Sequence, residues 1–179
     1  MDDNAKQIIW GTIMGGSSLV LPKGGKNYYL LMRSNDPLWL KWKMAQIDLF
    51  DNKGFYSYKN TYKVYSKCDN FLTSSYTYFY ENNKRIISQN ILELLRDIGL
   101  AVWFLDDGGK TGRNRKNAYL NAKKHGKHSD LILEYFTSLS LDCSINNNNK
   151  RIIFSVKSTE SFLKIIAPCF PEFMHCRLL

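Results

Sequence analysis

The chain has 179 residues, 44% of them hydrophobic and 14% aromatic, which is enough to bury a core and excludes a disordered chain. Its net charge of +9 and sequence pI near 9.3 point to a polyanionic partner, a basic surface that is merely solvated being the plain alternative. Four scattered cysteines (Cys68, Cys143, Cys169, Cys176) with no Cys-x-x-Cys pair argue against structural zinc, and no apolar stretch approaches the length of a membrane span.

In chain order, the run Ile8-Ile9-Trp10-Gly11-Thr12-Ile13-Met14 predicts a helix near 4–15 that stops on Gly15-Gly16-Ser17-Ser18. Strands are expected near 17–22 and 27–33, with Pro22-Lys23-Gly24-Gly25 as the turn between them. Asp36-Pro37 reads as an N-cap and first-turn proline opening a helix to about residue 49, with Trp39, Leu40, Met44 and Ile47 on one face. Alternation at 55–58 and 62–66 predicts a hairpin around Lys59-Asn60, and a helix over 69–80 follows.

The same order then returns. A helix is expected at 98–107, strands near 109–112 and 117–122, a helix over 129–139, and strands near 141–146 and 151–157. A last helix begins after the capping cluster Ser158-Thr159-Glu160-Ser161. The segment Lys123-Lys124-His125-Gly126-Lys127-His128 reads as a solvated or phosphate-facing loop, since its lysines would repel a metal ion.

Short matches tie the two series together. Lys26-Asn27-Tyr28-Tyr29-Leu30 recurs as Lys116-Asn117-Ala118-Tyr119-Leu120, and Phe71-Leu72 recurs as Phe162-Leu163, each about 90 positions on. The reading is an α+β fold of two α-β-β-α-β-β-α halves, residues 1–88 and 89–179, with antiparallel sheets backed by helices. Both halves are basic: 12 Lys and Arg against 7 Asp and Glu in the first, 13 against 9 in the second. That balance suits a saddle gripping a polyanion from both sides better than it suits one basic tail.

The most informative stretch is 97–109, Asp-Ile-Gly-Leu-Ala-Val-Trp-Phe-Leu-Asp-Asp-Gly-Gly. An apolar helix there would deliver Asp106 and Asp107 at its C-terminal end, where the helix dipole already disfavours negative charge. A hard divalent cation such as Mg²⁺ would offset the clash. A solvated Asp-Asp-Gly turn is the bland alternative, and the second apolar helix ending in small residues at 8–19 weighs against it. Gly11, Gly15, Gly99 and Ala101 would let the two helices approach closely. A helical glycine such as Gly11 otherwise costs about 1 kcal/mol relative to alanine.

Leu100-Ala101-Val102-Trp103-Phe104-Leu105-Asp106-Asp107-Gly108 and the run from Ile9 to Ser17 resemble the paired signature helices of the LAGLIDADG homing endonucleases, in the form where one chain carries both copies. Arg33-Ser34 ahead of Trp39-Leu40-Lys41-Trp42-Lys43, and Phe79-Tyr80 ahead of Asn83-Lys84-Arg85, are similar to the family too. So is the closing Pro171-Glu172-Phe173-Met174-His175-Cys176-Arg177-Leu178.

The resemblance implies a monomeric, Mg²⁺- (or Mn²⁺-) dependent enzyme that hydrolyses phosphodiester bonds in a long double-stranded DNA target, with the signature helices at the centre of a saddle. It puts Asp107 at the catalytic acid position and Gly16 at the equivalent position of the first motif, where no carboxylate stands. The implied metal ligands are Asp107, with Asp106 beside it, and the carbonyls of Gly15 and Gly16. Lys67 and Lys157, near the ends of the last strands of each half, fall near the cleavage centre.

Placement on the hairpins makes Lys23, Lys26, Asn27, Arg33, Lys59 and Lys63 the DNA-contact candidates of the first half. In the second half they are Lys110, Arg113, Arg115, Lys116, Asn117, Lys123 and Lys150. For any one of them a solvated side chain explains the residue equally well. A second functional reading is a non-cleaving nucleic-acid-binding protein, such as a group I intron splicing maturase acting on intron RNA. A transcriptional regulator is a third, with no appended helix-turn-helix to support it. The acidic start Met1-Asp2-Asp3 is neither a signal nor a typical transit peptide. The expectation is a soluble protein from a reducing compartment, encoded by an AT-rich organellar, phage or bacterial genome.

Overall fold

The computed structural model describes residues 1–50, 55–123 and 128–178. The first half runs α1 (Asp3–Met14), β1 (Ser18–Val20), β2 (Tyr29–Ser34), α2 (Pro37–Gln46), β3 (Tyr56–Tyr58), β4 (Thr61–Tyr65) and α3 (Asn70–Phe79). A short hairpin, β5 (Tyr80–Glu81) and β6 (Lys84–Arg85), and α4 (Gln89–Leu94) then lead into the second half. That half runs α5 (Asp97–Asp107), β7 (Gly108–Thr111), β8 (Asn117–Asn121), α6 (Ser129–Ser138), β9 (Cys143–Asn146), β10 (Arg151–Phe154) and α7 (Val156–Ile166). Two short 3-10 segments, Ala167–Cys169 and Glu172–Leu178, close the chain.

The two α-β-β-α-β-β-α series form matching antiparallel sheets, in strand order β1-β2-β4-β3 and β7-β8-β10-β9. The alternation that predicted the strands also decides which face is buried. Leu30, Met32 and Val64 line the inner face of the first sheet, and Ala118, Leu120, Ile152 and Phe154 that of the second. The β3–β4 turn places Lys59 at φ 46 and Asn60 at φ 61, the left-handed pair that a two-residue hairpin loop requires.

α1 and α5 cross at the centre, each buried along nearly its whole length. Their small residues are needed for the approach. A Cβ on Gly11 would strike the carbonyl oxygen of Gly99 and lie 2.9 Å from Val102 Cβ, and one on Gly15 would strike Asp106. Gln7, buried beside Gly99, ties the helices at their other end. Its Nε2 donates to Leu94 O (2.7 Å), and its Oε1 accepts from Arg96 N–H (2.8 Å) at the start of α5. Arg96 itself supplies no side-chain cap, so the first half caps the signature helix of the second.

Several boundaries differ from the sequence expectation. α2 stops at Gln46 rather than near residue 49, because Ile47 turns extended (φ −120) and Leu49 accepts from Lys67 N–H (2.7 Å) beside the sheet. α7 starts earlier than the cluster at 158–161, with Ser155 as its N-cap accepting from Ser158 N–H. Ser158 and Thr159 therefore sit inside the helix and are buried. Their hydroxyls accept from Asp142 N–H and Ala118 N–H (both 2.8 Å), pinning α7 to the second sheet. Of the basic loop at 123–128, residues 124–127 lie outside the described residues.

Candidate active site and nucleic-acid interface

α1 and α5 end side by side. At the end of α5, Asp107 is the last helical residue, half-buried, and Gly108 N–H closes the helix on Phe104 O before the chain runs on into β7. Successive helical residues point about 100° apart, and Asp106 accordingly turns away from Asp107 into the first half. Lys43 Nζ donates to both of its oxygens (2.9 Å each), and Trp39 Nε1 donates to Oδ1 (2.5 Å). Asp106 was a candidate metal ligand; here its carboxylate is spent on a buried ion pair.

α1 itself ends without a carboxylate. Gly15, Gly16 and Ser17 N–H bond back to Gly11, Ile13 and Thr12 carbonyls, and Gly16 adopts φ +112, a left-handed conformation that side chains rarely tolerate. Beside it opens a cavity of about 530 Å³ whose lining includes Gly15, Gly16, Arg33, Asp36, Trp39 and Asp106. The β5–β6 hairpin buttresses this end: the Arg85 guanidinium donates to Ser17 O, and Tyr80 Oη accepts from Leu19 N–H (3.2 Å).

Among the described residues no three His, Cys, Asp or Glu cluster as a preformed metal cage. One carboxylate at a negative helix terminus, with backbone carbonyls across the helix pair, still fits a hard cation that takes its remaining ligands from water and a substrate phosphate, as Mg²⁺ does.

The outer faces of the sheets differ in chemistry. On the first, Arg33, Lys63 and Tyr56 stand in one cross-strand row. Tyr29 and Tyr56 both pack edge-on against Tyr65 (5.9 and 5.7 Å), and Tyr56 is 69% exposed. On the second, Arg151 lies between Asn121 and Asn146, its guanidinium 4.0 Å from the centre of the Tyr119 ring. Sequence reasoning missed Arg151, although its alternation against Ile152 and Phe154, both facing the core, was enough to turn it outward.

The other candidates scatter more widely. Lys23, Lys26, Arg113, Arg115, Lys116 and Lys123 are exposed on turns and strand ends; Lys59 and Lys150 sit exposed at left-handed turn positions. Asn27 and Asn117 are instead internal ties, Asn27 Oδ1 accepting from Thr73 Oγ1 (3.1 Å) and Asn117 Nδ2 donating to Phe154 O (2.7 Å). Lys110 pairs with Ala118 and so shares the helix-facing side of its sheet rather than the groove side. Lys67 and Lys157 are not equivalent positions. Lys67 stands two residues before the cap of α3, whereas Lys157 lies in the first turn of α7. By the sheet register Ser155, whose N–H donates to Asp142 O as Lys67 N–H does to Leu49 O, takes the place corresponding to Lys67.

Two pseudo-symmetric sheets on either side of a crossed helix pair, with an acid at the base of one helix, define the class: a single-chain, two-motif saddle. Residues 6–162 match the LAGLIDADG DNA endonuclease family, and the chain belongs to it. It is 36% identical over 111 residues to a probable intron-encoded endonuclease 1 of Wickerhamomyces canadensis, covering 57% of this chain and 48% of that one. It is 27% identical over 137 residues to the cytochrome b mRNA maturase bI2 of Debaryomyces hansenii, covering 68% and 52%. The chain thus spans about half the length of these relatives. In fold it is similar to the homing endonuclease I-WcaI bound to its DNA recognition sequence (TM-score 0.89, 22% identity, 99% and 87% of the two chains).

Proposed function

We propose that this chain is a site-specific, metal-dependent DNA endonuclease that acts as a monomer and cuts the two strands of its target unequally. The observation that carries this reading is the meeting of α1 and α5 with a single base-of-helix acid, Asp107, beneath two basic sheets. A divalent cation bound there supplies activation of water and offsets charge at the scissile phosphate. The protein contributes the rest. Asp107 and the carbonyls of Gly15 and Gly16 are the ligands it offers, Lys67 is a candidate to stabilise charge nearby, and the sheets hold the duplex in register. The likeness to an intron-encoded endonuclease supports an intron-associated gene. No helix among the described residues is long and apolar enough to cross a membrane.

Selection from a randomised duplex pool with Mg²⁺ or Mn²⁺, recovering cut ends, tests the reading directly. A single recovered site is the expected result, and no cleavage of any duplex would overturn it. The likeness to a maturase favours one second reading, binding of folded intron RNA without cleavage. Tighter binding to intron RNA than to any duplex, again without cutting, would favour that reading.

Binding should weaken steeply with salt, because each phosphate neutralised by a lysine or arginine releases counterions. For six phosphate contacts, affinity should fall by roughly 10³-fold between 50 and 200 mM salt. Gel shifts across that range check it, and a flat response would remove the extended phosphate-contacting surface. Arg151 lies on the outer face of the second sheet against the Tyr119 ring, and reading of guanine by a bidentate contact is the role we assign it. Arg151→Ala should cost between about 5- and 150-fold at one base pair of the selected site, seen as relaxed preference there and nowhere else.

A further inference from the structure

The buried ion pair between Lys43 and Asp106 crosses from one half to the other, and among the described residues the pseudo-symmetric positions hold no such pair. Lys43 is fully buried (0% exposed) and Asp106 nearly so (9%), and Trp39 both donates to the carboxylate and lies under the ammonium, 5.0 Å from ring centre to Nζ. α6, which corresponds to α2 in the repeat, has the sequence Ser-Asp-Leu-Ile-Leu-Glu-Tyr-Phe-Thr-Ser and no lysine. Gly15, which occupies the place of Asp106 on α1, has no side chain to send across, and the Asp106 side chain fills the space left there. The end of α5 is therefore gripped by the first half, while the end of α1 faces an open cavity.

A buried pair of this kind contributes little net stability, because desolvating both charges offsets their attraction, and its use is to fix geometry. The residue next to Asp106 in the chain is Asp107. We propose that Lys43 and Trp39 clamp Asp106 across the helix pair, making all three positioning residues that hold the α5 terminus and so aim Asp107. This rests on the endonuclease reading for its effect on cleavage, but the clamp itself is a property of the fold. The clamp also withholds Asp106 from the site, leaving Asp107 as the acid that acts there.

The test is the double variant Lys43→Met with Asp106→Asn, which removes both charges together, keeps the volumes and leaves Asn Oδ1 to accept from Trp39. Replacing both partners avoids the stranded charge that either single change would bury. Hydrogen exchange of the amides at 105–108 should speed up by roughly tenfold or more, the loss expected for hydrogen bonds to charged groups, with α1 and the sheets unchanged. Single-turnover cleavage of the strand served by Asp107 should fall at least as far, with duplex affinity and melting temperature near the parent's.

Unchanged exchange at 105–108 would overturn the clamp. Faster exchange with cleavage at the parent rate would overturn its positioning role. A parent that cuts no duplex would overturn the endonuclease reading alone, and exchange would still decide the clamp. Trp39→Phe, which deletes one donor and leaves the ion pair, covers the case in which the double variant fails to fold, and its exchange at 105–108 should rise less.

Discussion

Asp107→Asn is expected to leave the protein folded and able to hold its target while cleavage falls by roughly 10³-fold or more, since loss of a metal ligand forfeits several kcal/mol of transition-state stabilisation at 1.36 kcal/mol per tenfold. The substitution keeps the shape of the side chain and removes the charge. Stability should move the other way. A carboxylate at the C-terminal end of a helix opposes the dipole by about 0.3–1 kcal/mol, so the variant should melt at or slightly above the parent temperature. Gel shift, single-turnover cleavage and thermal melting on one preparation separate these effects. Cleavage at the parent rate, or an unfolded variant, would remove Asp107 from the catalytic role. Asp106→Asn is not an equivalent control, because it strands the buried Lys43 ammonium and should destabilise the fold outright.

Periodicity made the elements legible. Alternation at 55–58 and 62–66 marked a hairpin, and the apolar runs marked α1 and α5 within a residue or two of their observed ends. The close contact of the central helices was legible as well, since a glycine such as Gly11 inside a buried helix needs a neighbour that uses the space. What stayed hidden depends on partners far along the chain. Lys43, in Trp-Leu-Lys-Trp-Lys, reads as a solvated lysine until Asp106, 63 residues away, gives it a counter-charge. Gln7 is unremarkable locally and becomes a cap only because α5 begins beside it. Ser158 and Thr159 carry the right chemistry for a cap, but Ser155 lies one turn earlier where the strand ends, and the sheet takes their hydroxyls instead. Asn27 and Asn117 read as groove residues from their placement on the hairpins. Their partners differ, Thr73 on α3 for Asn27 and the Phe154 carbonyl at the end of β10 for Asn117, and both lie far along the chain.

The same asymmetry that leaves Asp107 alone predicts how a target should be cut. A cation near the end of α5 has one carboxylate from the protein. One near the end of α1 has carbonyls, water and the DNA's own phosphates, a set that suits Mg²⁺ only weakly. On a supercoiled plasmid carrying the selected site, a nicked circle should therefore accumulate before linear product, with the cut strand the one served by Asp107. Strand-specific end labels identify it. Restoring an acid at the first helix is the complementary test, and the backbone sets its cost. Gly16 sits at φ +112, beyond the left-handed helical well that Asp can enter, so Gly16→Asp carries strain on the order of 1–3 kcal/mol, visible as a lower melting temperature. The second cut should nonetheless speed up relative to the first, because the new carboxylate supplies the missing charge. Concerted double-strand cleavage by the parent, with no nicked intermediate, would refute the asymmetry and make the carbonyls of Gly15 and Gly16, or one cation shared across the helix pair, sufficient for both strands.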